Sequence, residues 1–177
     1  FGSGVAEQYH MRWFEDHLSD TDVKIKALGL NLVGLSIAGP NSHALLTKIT
    51  NDDVSQNVFR FMSIKHMEIG SVPALVSRIT FTGDLGYEIW VNPEYQLSLY
   101  DLLLEAGEEF GLKHFGARAL DSMRLEKGFG SWAREFRPIY GPFEAGLGHF
   151  VDFTKNNFIG RDCALREKEN GTSNCRV

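Results

Sequence analysis

The stretch Phe81-Thr82-Gly83-Asp84-Leu85-Gly86-Tyr87-Glu88-Ile89-Trp90-Val91 constrains the fold of this chain more than any other. Gly83 and Gly86 supply the backbone freedom that a tight turn needs, so the stretch predicts the end of a strand, a hairpin and a return strand. Side chains alternate along a strand, which puts Tyr87, Ile89 and Val91 on one apolar face and Glu88 with Trp90 on the other. The apolar face should be buried. A carboxylate beside a large aromatic suits a flat heterocycle with two neighbouring N–H donors at its edge, as a pterin has. The spacing also fits a Glu turned to water, and by itself it does not choose.

Around this stretch, helical and extended patterns alternate. Residues 5 to 18 carry apolar groups at helical spacing, with Tyr9, Trp13 and Phe14 on one side, and Ser19-Asp20-Thr21-Asp22 breaks the helix. Val23 to Leu28 predicts a short strand, and Leu32 to Ala38 a second one. Gly39-Pro40-Asn41-Ser42 opens a helix to Ile49 whose buried stripe is Ala44, Leu45, Leu46 and Ile49. After a polar connection at 51 to 60, Ser63 to Ile69 and Val72 to Phe81 predict strands joined at Gly70-Ser71. Pro93 begins a helix to about Phe110 that turns Leu97, Tyr100, Leu104 and Phe110 toward a sheet.

Strand, helix, strand, strand, helix is the opening of a split β-α-β arrangement. The fold class expected is α+β, with a mixed or antiparallel sheet and helices on one face. Residues 116 to 127 predict a further helix, closed by Gly128, on which Arg118, Asp121 and Arg124 recur every three residues; Asp121 can pair with either Arg, and the spacing does not choose between a solvated charge ladder and a functional group of charges. Residues 132 to 160 are rich in glycine and aromatics with little helical period, and Cys163 to Glu169 predict a short last helix before a polar tail.

Charge and cysteine usage exclude several classes. A net charge of −5 on 177 residues supplies no basic surface for a nucleic acid. No window approaches the roughly 18 to 20 apolar residues of a membrane span, and the first residues lack the regions of a signal peptide. Cys163 and Cys175 have no partner pair at metal-ligand spacing and are expected as free thiols in a reducing compartment, with no metal site. Asn170-Gly171-Thr172 matches a glycosylation sequon, a pattern short enough to occur by chance. Gly128-Phe129-Gly130-Ser131-Trp132 is only a fragment of a dinucleotide fingerprint, and it follows a helix rather than a strand.

The run Phe81-Thr82-Gly83-Asp84-Leu85-Gly86-Tyr87-Glu88-Ile89 resembles the Tyr-Thr-Gly-Glu-x-Gly-x-Glu-Ile signature of the folate-binding aminomethyltransferase superfamily. Four other stretches stand in the superfamily's order. Ala38-Gly39-Pro40-Asn41 before a helix is similar to its strand-Gly-Pro-helix junction. Arg118-Ala-Leu-Asp-Ser-Met-Arg-Leu-Glu-Lys-Gly-Phe129 resembles the branch fused behind the flavin domain of dimethylglycine and sarcosine dehydrogenases, as do Pro142-Phe143-Glu144-Ala145-Gly146-Leu147 and Phe158-Ile159-Gly160-Arg161.

The resemblance implies tetrahydrofolate as the bound group, with Glu88 hydrogen-bonding the pterin and Phe81, Trp90 and Trp132 as further candidate binding residues. Phe81 stands where the family has Tyr, which keeps a ring and loses a hydroxyl, and Trp132 either reaches the folate cleft or packs between layers. In the glycine-cleavage branch a folate-contacting Arg matches Leu120, so that contact does not carry over. The family's catalytic Asp lies further upstream of the hairpin than the eighty residues that precede Phe81, so no catalytic residue is expected in this chain.

On that basis residues 1 to 169 are expected to form part of a folate-binding aminomethyltransferase-type domain, and 170 to 177 a linker toward an absent β-rich domain. Any FAD would sit on an absent N-terminal domain. The implied reaction is one-carbon transfer from a methylated amine (dimethylglycine, sarcosine or an aminomethyl-lipoyl carrier) in the cytoplasm or the mitochondrial matrix, with the isolated chain inactive. Two alternatives stay open: a non-enzymatic folate-binding protein of the iron–sulfur assembly branch, whose Lys-Gly-Cys-Tyr motif has its nearest counterpart in Lys127-Gly128-Phe129-Gly130, and a folate-dependent demethylase of a sulfonium compound.

Overall fold

The computed structural model describes residues 4–18 and 22–172, with side chains described from Ala6 onward. The expected break at Ser19-Asp20-Thr21 and the thiol of Cys175 lie outside the described residues. The chain divides into two compact units, one running to Phe129 and one starting at Gly130.

The first unit begins with helix α1, Gly4–His17. Its sheet is built from β1 (Val33–Ala38), β2 (Ile64–Ile69), β3 (Val72–Ser77) and β4 (Gly86–Val91). The strands lie in the order β1-β4-β3-β2, and every neighbouring pair is antiparallel. Helix α2 (Ser42–Ile49) joins β1 to β2, so these two strands end at opposite edges with the β3 and β4 pair between them. Helix α3 (Gln96–Gly107) follows β4 and packs beside α2. The architecture is α+β, an antiparallel sheet with helices gathered on one face.

The period of two along each strand decides what is buried. Val33, Leu35 and Ile37 of β1 stand opposite Val91, Ile89 and Tyr87 of β4, and Val76 is the next neighbour of Ile89 on β3. These residues meet Leu45, Leu46 and Ile49 of α2 and Leu99, Leu103 and Ala106 of α3 in one core. Tyr87 is buried with its ring stacked on Phe59, and its hydroxyl shares a 3.1 Å hydrogen bond with His43 Nδ1, so the phenol is not left unpaired in the core. Burial pushes its pKa up, offset in part by the charge of Arg78.

Several expectations need correction. Val23 to Leu28 is exposed coil rather than a strand, because six alternating residues without a neighbouring strand have no ladder to join. Ala44 faces water, and the buried stripe of α2 is Ser42, Leu45, Leu46 and Ile49. In α3 the buried stripe is Leu99, Leu103 and Ala106, one register away from the expected Leu97 and Tyr100, which are exposed. A helix with apolar residues at 97, 99, 100, 102, 103 and 104 has two stripes of similar strength, and the sheet selects one of them. Strand β3 ends at Ser77 rather than Phe81, so β3 and β4 are joined by an eight-residue loop, 78–85, in place of a tight turn.

Helix α4, Ala117–Glu126, closes the first unit, and Gly128 ends it with a φ of 69°. Its charge ladder is not solvated throughout. Arg124 is 1% exposed and donates from Nε to Asp121 at 2.7 Å and from Nη1 to the Phe129 carbonyl at 2.8 Å.

The described residues of the second unit are mostly turns, with a short 3-10 helix at Gly148–Phe150 and one α-helix, α5, Arg161–Asn170. The Glu167 carboxylate of α5 accepts from the backbone N–H groups of Phe143 (3.0 Å) and Glu144 (2.8 Å). It also lies so close to Gly141 that a β-carbon there would stand 2.1 Å from Oε2. These contacts fix the Pro142-to-Leu147 turn on α5. Cys163 is an exposed free thiol.

Candidate functional site

The face of the sheet opposite the helices carries the other half of each strand's alternation. Glu88 stands at its centre, opposite Ser36 on β1 and Ser77 on β3. One step further along the strands, about 6.6 Å away, Trp90 stands between Gly34 and Leu75, with His66 beyond Leu75 on β2. The face therefore has a polar row, Ser36-Glu88-Ser77, next to an apolar row centred on Trp90.

Glu88 is half-buried. Burial pushes its carboxyl above the usual glutamate value, and a hydrogen bond from the Trp90 side chain pulls part of the way back. The structure thus brings Glu88 and Trp90 together as the alternation requires.

The loop before β4 is fastened at both ends. Leu85 O accepts from Gly39 N at 2.8 Å and from Ser42 Oγ at 3.0 Å, which ties the loop to the start of α2. Gly39 has a φ of 122°, a conformation open to glycine, so the Gly39-Pro40 junction is part of the mount for β4. Within the loop, Thr80 Oγ1 donates to Asp84 O at 2.6 Å.

Phe81 lies in this loop, off the β4 ladder, with its ring stacked on Phe129 at 6.4 Å and the Arg124 guanidinium 5.9 Å from its centroid. Lys127 Nζ reaches Asp84 at 3.7 Å, and its side chain fills the space beside Gly83. The end of α4 therefore holds the loop that leads to Glu88. Trp132 belongs to the second unit, where it is half-buried.

Gly34 was not singled out in the sequence, yet it shapes the site. A β-carbon at Gly34 would stand 2.7 Å from Cε3 and 2.9 Å from Cδ2 of Trp90, so the indole lies directly over it. A glycine inside a strand pattern is the signal that marks such a close approach. Among the described residues, no group of three or more His, Cys, Asp or Glu side chains gathers as a metal would require, and no helix is long and apolar enough to cross a membrane.

Residues 2–155 match the model of the GCVT N-terminal domain. The chain belongs to this GCVT family. Within it, human mitochondrial dimethylglycine dehydrogenase is 37% identical over 173 residues, covering 96% of this chain and 20% of that protein. An aminomethyltransferase of Caldanaerobacter subterraneus subsp. tengcongensis is 38% identical over 160 residues, covering 90% of this chain and 42% of its own. Among solved structures, heterotetrameric sarcosine oxidase from Corynebacterium sp. U-96 matches 58% of this chain and 51% of its own, at 20% identity and a TM-score of 0.48. The chain thus spans less than half the length of these GCVT-domain relatives.

Proposed function

We propose that this chain is the folate-side module of an enzyme that moves a one-carbon unit from a methylated amine, such as dimethylglycine or sarcosine, onto tetrahydrofolate. The observation that carries it is Glu88: a half-buried carboxylate at the centre of a sheet face, on the same side of β4 as Trp90 and flanked by two serines. The donor set fits a pterin. Two adjacent N–H groups at a ring edge match two carboxylate oxygens, and partial burial strengthens a charge-assisted pair relative to one in water.

Tetrahydrofolate supplies the amine nitrogens that receive the one-carbon unit. The residues of this chain bind and orient. Glu88 fixes the edge of the ring, the Phe81 loop sets where β4 begins, and Trp90 supplies an aromatic surface on the same face. Holding a reactant in one pose is a large part of what such a reaction needs, while proton management needs a separate acid or base. We place that group, an Asp, in sequence outside this chain, together with any flavin domain and a C-terminal β-rich domain beyond residue 169. The 177 residues alone are therefore inactive. The mitochondrial location of the human relative supports the matrix as the compartment if the source is eukaryotic.

Calorimetric titration of tetrahydrofolate into the full-length polypeptide, followed by turnover with dimethylglycine, sarcosine and a sulfonium compound, tests the proposal. Glu88→Gln removes the charge from the pair and should weaken folate binding by about tenfold or more. Wild-type affinity in that variant would overturn the assignment, and folate-dependent turnover by the isolated chain would overturn its inactivity.

A further inference from the structure

Strand β1 lies at one edge of the sheet. Gly39 N–H donates to Leu85 O at the ladder position next to the Ala38–Gly86 pair, so the bonded pairs of this antiparallel ladder are Ile37–Tyr87, Leu35–Ile89 and Val33–Val91. The backbone groups of Gly34, Ser36 and Ala38 therefore point away from β4, and among the described residues no backbone group answers them. Two adjoining hollows follow this edge on the helix side. One, of about 280 Å³, is bounded by Leu35, Tyr100, Leu104 and Phe115, and the other, of about 350 Å³, by Ile37, Phe110 and Phe115. Residues 23–28, Val-Lys-Ile-Lys-Ala-Leu, have the opposite deficit: the alternation of a strand, no neighbouring strand, and all six side chains exposed. This segment does not pair with the β1 of its own chain. Between them stands the 3-10 turn Gly29–Asn31, where Leu28 O accepts from Asn31 N at 3.0 Å and from Asn31 Nδ2 at 2.7 Å.

We propose that the β1 edge is a docking site for segment 23–28 of a second copy of this chain, so that two copies exchange strands reciprocally. An open edge is a template for a further strand, and an exchange in which each copy gives one segment and takes one closes with twofold symmetry. Extending the antiparallel order of the sheet sets Val23, Ile25 and Ala27 against Ile37, Leu35 and Val33. Ile25 then enters the smaller hollow and Val23 the larger, about 6.6 Å apart as alternate residues of a strand are. Lys24 and Lys26 turn to the other side, opposite Ser36 and Gly34, and bring positive charge onto the face whose central charge is the Glu88 carboxylate. A slip of one residue would drive both lysines into the apolar hollows, so the pattern fixes the register. Main-chain bonds supply the affinity of such an addition, and the hollows supply its selectivity. Two six-residue exchanges bury on the order of 1,200–2,000 Å², the size of a stable interface.

Sedimentation equilibrium of the 177-residue chain tests the exchange. Wild type should dimerise with a dissociation constant of about micromolar, as an interface of this size allows. Ile25→Glu places a charge on the segment and Phe115→Lys places one at the hollows. Both side chains are exposed, at 39% and 42%, so the fold of each copy is spared. Each variant alone should dimerise at least about tenfold more weakly, since its charge would be buried without a partner. Mixed one to one, the two variants should dimerise again, because the new carboxylate of one copy meets the new ammonium of the other and the second exchange in the pair is wild type. Hydrogen exchange reads the edge directly: the amides of Gly34, Ser36 and Ala38 should be at least about tenfold slower in the dimer than after dilution to the monomer. A wild type that stays monomeric at about 100 µM, a dimer that survives either substitution, or a mixture that stays monomeric would overturn the proposal. Protection of those three amides that does not change on dilution would mean that the segment closes on its own β1, and would overturn it as well.

Discussion

Gly34 and Trp90 face each other across the β1–β4 ladder, and the indole lies so close over the glycine that a β-carbon there would be 2.7 Å from its ring. The φ of Gly34 is not in the left-handed region, so alanine is tolerated by the backbone, and the whole effect of substitution falls on the indole. Gly34→Ala should push Trp90 toward β3 and change the surroundings of Glu88 on the same face. Overpacking of this kind costs about 1–3 kcal/mol, offset by up to about 1 kcal/mol from the lower chain entropy of alanine. Urea unfolding should therefore show a loss of about 1 kcal/mol. Unchanged stability with unchanged folate affinity would show that the indole moves freely.

Glu88 should make both stability and binding pH-dependent, in opposite senses. Its folded pKa is raised, burial first, above the unfolded value. Its contribution to stability is therefore fully present below the unfolded pKa and is lost as pH rises through the folded pKa. Glu88→Gln stays neutral throughout, so the variant should be more stable than wild type at pH 7, and the gap should close when both are compared near pH 4. Folate binding needs the ionised carboxylate. In wild type it should weaken as pH falls through a value higher than that of an ordinary glutamate, and in Glu88→Gln this step should be missing. Thermal melts and titrations over pH 4 to 8 test both signs.

The parts of the fold legible in the sequence are those where one local rule dominates. Helix α2 runs over the expected Ser42–Ile49, β2 starts within one residue of expectation, and Gly128 closes α4. The division of β4 into a buried Tyr87-Ile89-Val91 side and a half-buried Glu88-Trp90 side followed from alternation alone. What the sequence concealed depends on partners far along the chain. The stripe of α3 was chosen by the sheet among two equivalent sets, and Val23 to Leu28 has the pattern of a strand without a neighbour to pair with. Arg124 read as a surface charge because nothing local shows that Phe81 and Phe129 stack beside it.

The Asp121–Arg124 pair is unequal, and its two halves should respond differently. Arg124 is buried, while the Asp121 side chain is 35% exposed. Asp121→Ala leaves a buried guanidinium without that carboxylate and should cost about 3 kcal/mol. Arg124→Met leaves a carboxylate that water reaches, and a linear apolar side chain occupies part of the vacated space. It should cost about 1–2 kcal/mol through the lost bond to the Phe129 carbonyl and the loosened Phe81 loop. Chemical denaturation of both variants ranks them. The reverse order would mean that the guanidinium is stabilised chiefly by groups other than Asp121.

Gly86 opens β4 for a reason different from the one its position in a glycine-bounded turn suggests. Gly83, with a φ of 78°, needs the conformational freedom of glycine, but Gly86 does not adopt a positive φ. A β-carbon at Gly86 would instead lie 2.2 Å from the Ile37 carbonyl oxygen, 2.4 Å from Cγ2 of Thr80 and 2.9 Å from Cα of Ala38. Two of these three atoms are backbone, so β1 would have to withdraw from β4 at the Ala38–Gly86 pair. The same end of β4 is where Leu85 is tied to Gly39 and Ser42, so the displacement would be resisted by those bonds and passed on to the Ser36–Glu88 row. Gly86→Ala should therefore destabilise the first unit by about 3 kcal/mol, at the top of the range for overpacking, and also weaken folate binding. Gly111→Ala is the control: its φ of 68° carries backbone strain, but nothing lies within 4 Å of the added carbon. That variant should lose about 1 kcal/mol from strain alone, with folate affinity unchanged. Equal losses in the two variants would mean that β1 yields easily at Gly86 and that the close approach there does not hold Glu88 in place.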